Sequence, residues 1–166
     1  MSVMPTPRPL LLSWAHQRDY ALRLVGDLSD ADMIAQPVPG VVMNHPAWIL
    51  SHLLVYTELL GGIVRREPVE DPIDHPHGRK SSPLADAAAY LPRLTLIEKY
   101  TNAHDAVAVA VESADDGVWA EPLPFPRWAR RWTCIAEAAV HIMVHHEAVH
   151  LGQLSAWRRA GGRSAV

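Results

Sequence analysis

The residues best suited to chemistry lie near the end of the chain, in Val144-His145-His146-Glu147-Ala148-Val149-His150-Leu151-Gly152-Gln153. They fall inside a proline-free stretch, 133–160, that reads as one amphipathic helix. Helical positions four apart project from one face, a turn apart, so His146 and His150 make half of a metal site. His52, on the apolar face of an earlier helical segment, offers a third imidazole. A lone histidine on an apolar face is usually a core residue with a satisfied hydrogen bond. Three buried imidazoles are costly unless each finds a partner, and a shared cation satisfies all three at once. Three neutral imidazoles with solvent in the remaining positions form an open, reactive site. Spacing alone leaves the core and metal readings evenly balanced.

Two other motifs compete for the same residues. His146-Glu147-Ala148-Val149-His150 also fits the H-E-x-x-H pattern of zinc peptidases, in which the glutamate is the general base. The 16 residues after His150 contain no His, Asp or Glu to complete such a site, and nothing upstream reads as a substrate-aligning sheet. Glu147 and His150 match one half of a di-iron carboxylate motif, but no second E-x-x-H lies on another helix. Glu147 projects about 100° around the helix from His146, toward solvent or a neighbouring helix. The same offset takes His145 off the seam and pairs it with His141. His104 borders a third-helix seam in a core or supporting role. His75 and His77 read as loop residues, His45 as helix-start chemistry, and His16 has no matched partner. Trp48 and Tyr56 flank His52 at minus and plus four and are expected around any cavity there.

The elements that must position these residues are all helical. A first helix covers 10–28, followed by Ser29 as cap to a short turn. Asn44 or His45 caps the second, with Pro46 in its first turn, and it runs to about Arg65. Its apolarity extends nearly all round, which implies burial between two neighbours or at a subunit interface. The composition turns to Pro, Asp, His, Gly and Ser over 67–82, a connection long enough to cross the end of a bundle. Ser82-Pro83 starts a short helix through Ala89, and a third long helix follows Pro92 to about Ser113. A second irregular region, 115–132, leads to Thr133 as cap of the fourth helix. That helix carries Ile135, Ala139, Ile142, His146, Val149, Gln153 and Leu154 on its core face. Arg158 and Arg159 in its last turn complement the helix dipole, and Gly161-Gly162 ends it. The expectation is an all-α four-helix bundle with a long connection between helices two and three, in one domain over 1–166.

Composition narrows the function classes. With 166 residues, 49% hydrophobic and 20% charged, the chain can bury a substantial core. A net charge of -3 without a basic run argues against nucleic acid. No stretch reads as long and apolar enough to cross a bilayer, and Met1 to Pro9 lacks a signal-peptide pattern, so a cytoplasmic location is expected. Cys134 is the lone cysteine, which excludes a disulfide framework or a cysteine zinc motif. Ten histidines stand against two lysines, Lys80 and Lys99, in keeping with metal or proton chemistry.

Asn44-His45-Pro46-Ala47-Trp48-Ile49-Leu50-Ser51-His52-Leu53 resembles the start of helix two in the DinB/YfiT (DinB-like) superfamily. His146 to Leu154, followed by Trp157-Arg158-Arg159, resembles that family's final helix, and Ser81-Ser82-Pro83-Leu84 is similar to its entry to the third section. The resemblance extends over essentially the whole chain. It implies a four-helix bundle, often a homodimer, with a divalent metal held by three histidines, here His52, His146 and His150. It also implies two activity classes, transfer to or from a low-molecular-weight bacterial thiol and thiol-dependent isomerisation. The alternative is a stress-associated metal- or ligand-binding protein without turnover, or a structural cation. Three imidazoles suit Zn²⁺ and Ni²⁺, and Fe²⁺ or Mn²⁺ also fit when waters complete the shell. No separate organic cofactor is expected, and no catalytic residue is assigned. Cys134, about three turns from His146, is not cast as the nucleophile.

Overall fold

A computed structural model describes residues 7–166, and among them every regular element is helical. The proline-rich opening falls partly in residues 1–6, outside the described residues. Helices α1 (Pro7–Val25), α2 (Pro46–Val64) and α3 (Arg93–Ser113) are long and regular. A single turn, α4 (Pro126–Ala129), precedes α5 (Ile135–Val140) and α6 (Glu147–Ala160). The last two are joined without a break by a π-helical segment, His141–His146, so they form one rod. Helix α2 packs on α3 and on the α5–α6 rod, and α1 on α3 and α6, which closes a helical bundle.

Helix α2 is the centre of that bundle. His45 caps it, its Nδ1 accepting the Trp48 N–H at 3.2 Å, and Pro46 occupies the first position, where no donor is lost. Asn44, the other expected cap, donates instead to Gln153 on α6 at 3.0 Å. All of α2 except Val55 and Glu58 is buried. The helix is long and apolar enough to cross a membrane, which corrects the expectation that no stretch is. However, 89% of the qualifying window is buried inside the fold, against protein neighbours.

The rod departs from the continuous α-helix expected over 133–160. Its buried positions run Ile135, Ala139, Ile142 and Met143, then Glu147, His150 and Leu151, Leu154, and Trp157. Beyond Ile142, Glu147 is buried instead of the expected His146, Val149 is exposed and Gln153 half-buried, while Leu154 is buried as expected. A π turn accommodates one extra residue, and that insertion is the cause. Val149, expected inside, is therefore 45% exposed. Gln17 of α1 donates to the Met143 carbonyl at 2.6 Å, supporting a backbone acceptor within the π segment. The short helix expected from Ser82 to Ala89 is reduced to a 3-10 turn, Ala87–Ala89, capped by Asp86. None of its residues is buried, so it has no apolar stripe to dock and nothing to stabilise a longer helix.

Two apolar clusters form the core. One gathers Trp14, Tyr56, Leu60, Val107, Trp128 and Met143, and the other gathers Leu24, Ile49, Leu53, Leu96, Leu151 and Leu154. Between them, at matching positions along α2, α3 and the rod, lie the buried polar residues His52, His104, Glu147 and His150. At one end Arg158, 2% exposed, ties α6 to α1. It donates to the Leu24 carbonyl at 2.8 Å and pairs with Asp27. Its principal contact is thus a specific tie to another helix. Replacing Arg158 with Ala should cost about 2–3 kcal/mol, because a charged hydrogen bond is lost and a buried carbonyl is left unpaired. Asp27→Asn should cost much less, since Asp27 stands 57% exposed. Urea denaturation midpoints of the two variants should differ in that order.

Candidate metal centre

The one-residue shift in the rod determines what each side chain of the His146–His150 motif faces. Glu147 turns into the core, 1% exposed, where it accepts hydrogen bonds from the Tyr100 hydroxyl and from His104 Nε2, the latter at 3.1 Å. His104 lies flat against Trp14, ring centroids 3.6 Å apart, and Trp14 donates to the His104 carbonyl at 3.0 Å. Of the two expectations for Glu147, solvent and a neighbouring helix, the second holds. It faces α3 and belongs to a buried polar network, on the far side from any peptide-hydrolysing role.

His146 and His150 turn the other way and meet His52. One ring nitrogen from each of the three lies within 4.8 Å of the other two, so the group could hold a metal ion. His52 Nε2 and His146 Nε2 are 3.0 Å apart. Each of two rings is oriented by a partner that can only accept. His52 Nδ1 donates to the His77 carbonyl at 2.7 Å, and His150 Nδ1 to the side-chain oxygen of Gln153 at 2.9 Å. Gln153 is itself held by Asn44. A neutral imidazole that donates from Nδ1 carries its lone pair on Nε2, which is the form a metal requires. His146 Nδ1 is buried without a hydrogen-bond partner.

Burial favours the neutral form throughout. Desolvation, with the charges of the neighbouring imidazoles, lowers His52 to about 4 and His146 to about 2. His150 is also lowered by burial, against the opposing hydrogen bond to Gln153. All three are therefore unprotonated at neutral pH and free to donate lone pairs.

The connection between α2 and α3 completes the site. Its segment around Pro72–Asp74 and Gly78 folds so tightly that a Cβ on Gly78 would lie 1.8 Å from the Pro72 carbonyl oxygen, which admits only glycine there. That turn presents the His77 carbonyl to His52. Ser81 holds the turn to α2, accepting from Trp48 Nε1 at 3.0 Å and donating to the Gly78 carbonyl at 2.7 Å. Trp48 stacks on His52 at 4.7 Å and Tyr56 flanks it at 4.8 Å, both lining a cavity of about 320 Å³ that opens onto the three histidines.

Two contributors were not identified from sequence. His77, read as a loop residue, acts through its backbone carbonyl, which no side-chain pattern reports. His141 lines the cavity 6.1 Å from His146, with the tilted ring of exposed His145 5.1 Å away on its other flank. Its placement depends on the π segment. His16 and His75 are exposed, and His45 serves as the cap.

A family model described as the DinB superfamily matches residues 13–154, from within α1 to well into α6 and including all three histidines. The chain belongs to the DinB superfamily. No match was found among curated proteins or among solved structures.

Two outcomes follow from this geometry. The unfolded chain takes up protons at His52 and His146 near their ordinary 6.5, whereas the folded chain resists until about 4 and about 2. Stability of the metal-free protein is therefore full above about 6.5 and falls as pH drops from there toward 4, by up to about 1.4 kcal/mol per pH unit per site. Urea titrations in chelator across that range should show the slope, and it should be shallower for His146→Gln. Replacing Glu147 with Leu should cost about 3 kcal/mol by stranding the Tyr100 and His104 donors, and Gln should cost less because it still accepts. Equal melting of all three proteins would contradict the network.

Proposed function

We propose that the protein binds a divalent metal through His52, His146 and His150, and acts as a metal-dependent enzyme with a low-molecular-weight thiol. Thiol S-transfer and thiol-dependent isomerisation are the reaction types that its family resemblance suggests. The observation that carries the metal reading is the orientation of the rings. Two Nδ1–H groups are committed to oxygen acceptors, so lone pairs gather beside a third buried imidazole instead of being scattered through the core. Zn²⁺ or Ni²⁺ fits this donor set best. A divalent metal bound here supplies Lewis acidity, which favours thiolate over thiol at neutral pH.

The protein's own residues support a co-substrate that brings its own nucleophile. Among the described residues no Cys, Ser, Thr, Lys, Asp or Glu lines the cavity, and Cys134 lies outside it. Glu147, the acid closest in sequence, is occupied by Tyr100 and His104. What the lining offers is orientation and exclusion of water. Trp48 and Tyr56 wall the rings of His52 and His146, and His141 stands at the cavity side as a neutral imidazole, lowered to about 4 by burial and the nearby Arg131 charge. The same lack of a carboxylate base favours, as the second reading, a metal- or ligand-binding protein without turnover.

Metal analysis of the purified protein decides the first half. About one ion per chain is expected, lost in His52→Ala and His150→Ala. A metal-free wild type whose variants melt identically would remove the basis for the site. For the second half, a dinitrophenyl or bimane electrophile is offered together with each of several bacterial thiols. Chelator-sensitive conjugation is expected with at least one of them. Stoichiometric metal without any such rate would leave the binding protein as the better description.

A further inference from the structure

The cavity above the three histidines has a one-sided charge. Its lining includes Arg79, Arg127 and Arg131 and no carboxylate, in a chain whose overall charge is -3. The imidazoles are not the source of that charge, because burial keeps them neutral. Arg127 is already neutralised, donating from Nε to Asp71 at 2.9 Å and from a second guanidinium nitrogen to the same carboxylate. Of the three lining arginines, Arg79 and Arg131 have no carboxylate partner among the described residues.

Both residues line the cavity, Arg79 from the connection between α2 and α3 and Arg131 from the segment before α5. Arg79 is close enough to Tyr56, and Arg131 to His141, for its charge to be felt at that side chain, and both Tyr56 and His141 line the same space. Arg131 lies over the Trp132 ring, 5.0 Å from its centroid. A guanidinium resting on an aromatic ring without a carboxylate partner still has donors for a planar oxyanion. Between the two cations the walls are broad and aromatic, with Trp48, Trp128 and Trp132 all contributing. A volume of about 320 Å³ is at the small end for an organic ligand.

We propose that Arg79 and Arg131 form an oxyanion subsite at the mouth of the three-histidine cavity, and that its ligand is a small carboxylic acid with an aromatic or otherwise planar body. The carboxylate lies against the guanidinium edges, in bidentate fashion at one of them, and the body lies along the tryptophan faces toward the histidines. The inference deepens the functional reading above and rests on its premise that this cavity receives a small molecule. It specifies the acid that the thiol chemistry would act on or with.

The probes are naphthalene-1-acetate, its uncharged amide and acetate, each titrated calorimetrically into metal-free and metal-loaded protein. The acid should bind about tenfold or more tightly than the amide to both forms, with an affinity that weakens as salt rises. Acetate should bind far more weakly than either, because it lacks the planar body. In the Arg79→Gln/Arg131→Gln double variant the acid-to-amide ratio should fall toward one, while metal content and amide affinity hold. Amide affinity in that variant also reports that the cavity is still folded. Equal binding of acid and amide overturns the subsite, as does the absence of saturable binding by the acid. A preference confined to the metal-loaded form and kept in the double variant also overturns it, by assigning the carboxylate to the metal. The two readings fail separately. Acid preference without stoichiometric metal removes the metal enzyme and keeps the subsite, and stoichiometric metal without acid preference does the reverse.

Discussion

The structure depends on how one polar layer is satisfied across the middle of an otherwise apolar bundle. Buried imidazoles, a carboxylate and a phenol are placed between two hydrophobic clusters, where each unpaired polar group costs on the order of a few kcal/mol. The layer resolves into two halves that face in opposite directions from the rod. On the α3 side, Glu147 accepts from Tyr100 and His104, with Trp14 closing the stack. On the α2 side, His52, His146 and His150 gather beneath a cavity. The first half is closed by protein atoms, with His104 Nδ1 left buried without a partner. In the second, two rings are held by acceptors and turned toward a common point, while His146 has a buried nitrogen with no partner. What separates the halves is access: a cavity opens onto the three histidines and not onto Glu147, Tyr100 or His104.

The π segment makes that division possible. In a uniform α-helix, the residue following His146 on the core seam would be Val149, and Glu147 would sit off it. One inserted residue turns Glu147 into the core and Val149 out of it, and leaves His146 and His150 together facing His52, with His141 beside them. π turns forgo regular backbone pairing, and here Gln17 offsets part of that by reaching from α1 to the Met143 carbonyl. The connection between α2 and α3 is equally specific. It delivers the His77 carbonyl to His52 through a turn that only Gly78 can make, and Ser81 fastens it to Trp48. It thereby fixes the tautomer of one imidazole and brings Arg79 to the cavity mouth.

Much of this was legible in the chain. The long helices, the His45-Pro46 start of α2, and the three histidines that converge follow from periodicity, capping chemistry and the spacing of like residues on apolar faces. Each of those signals is local, or repeats within a single helix. The reading failed where the outcome depended on a neighbour. Val149 falls on the apolar seam by pattern yet is exposed, because a one-residue insertion leaves no mark in a pattern of apolar residues. The apolarity of α2 was underestimated as a membrane-length signal, and it is the surrounding helices that account for it. The segment 82–89 carried a good start signal but had no face to bury.

The sequence by itself determined that this is a helical protein and that imidazoles lie on the inward faces of two helices. Tertiary structure alone decided which way Glu147 faces, which carbonyl orients His52, and that arginines from separate segments border one cavity. The physical reason is that side-chain type and helical phase are written along the chain. The satisfaction of a buried polar atom depends on which other element comes within about 3 Å of it, and that is settled only when the helices pack.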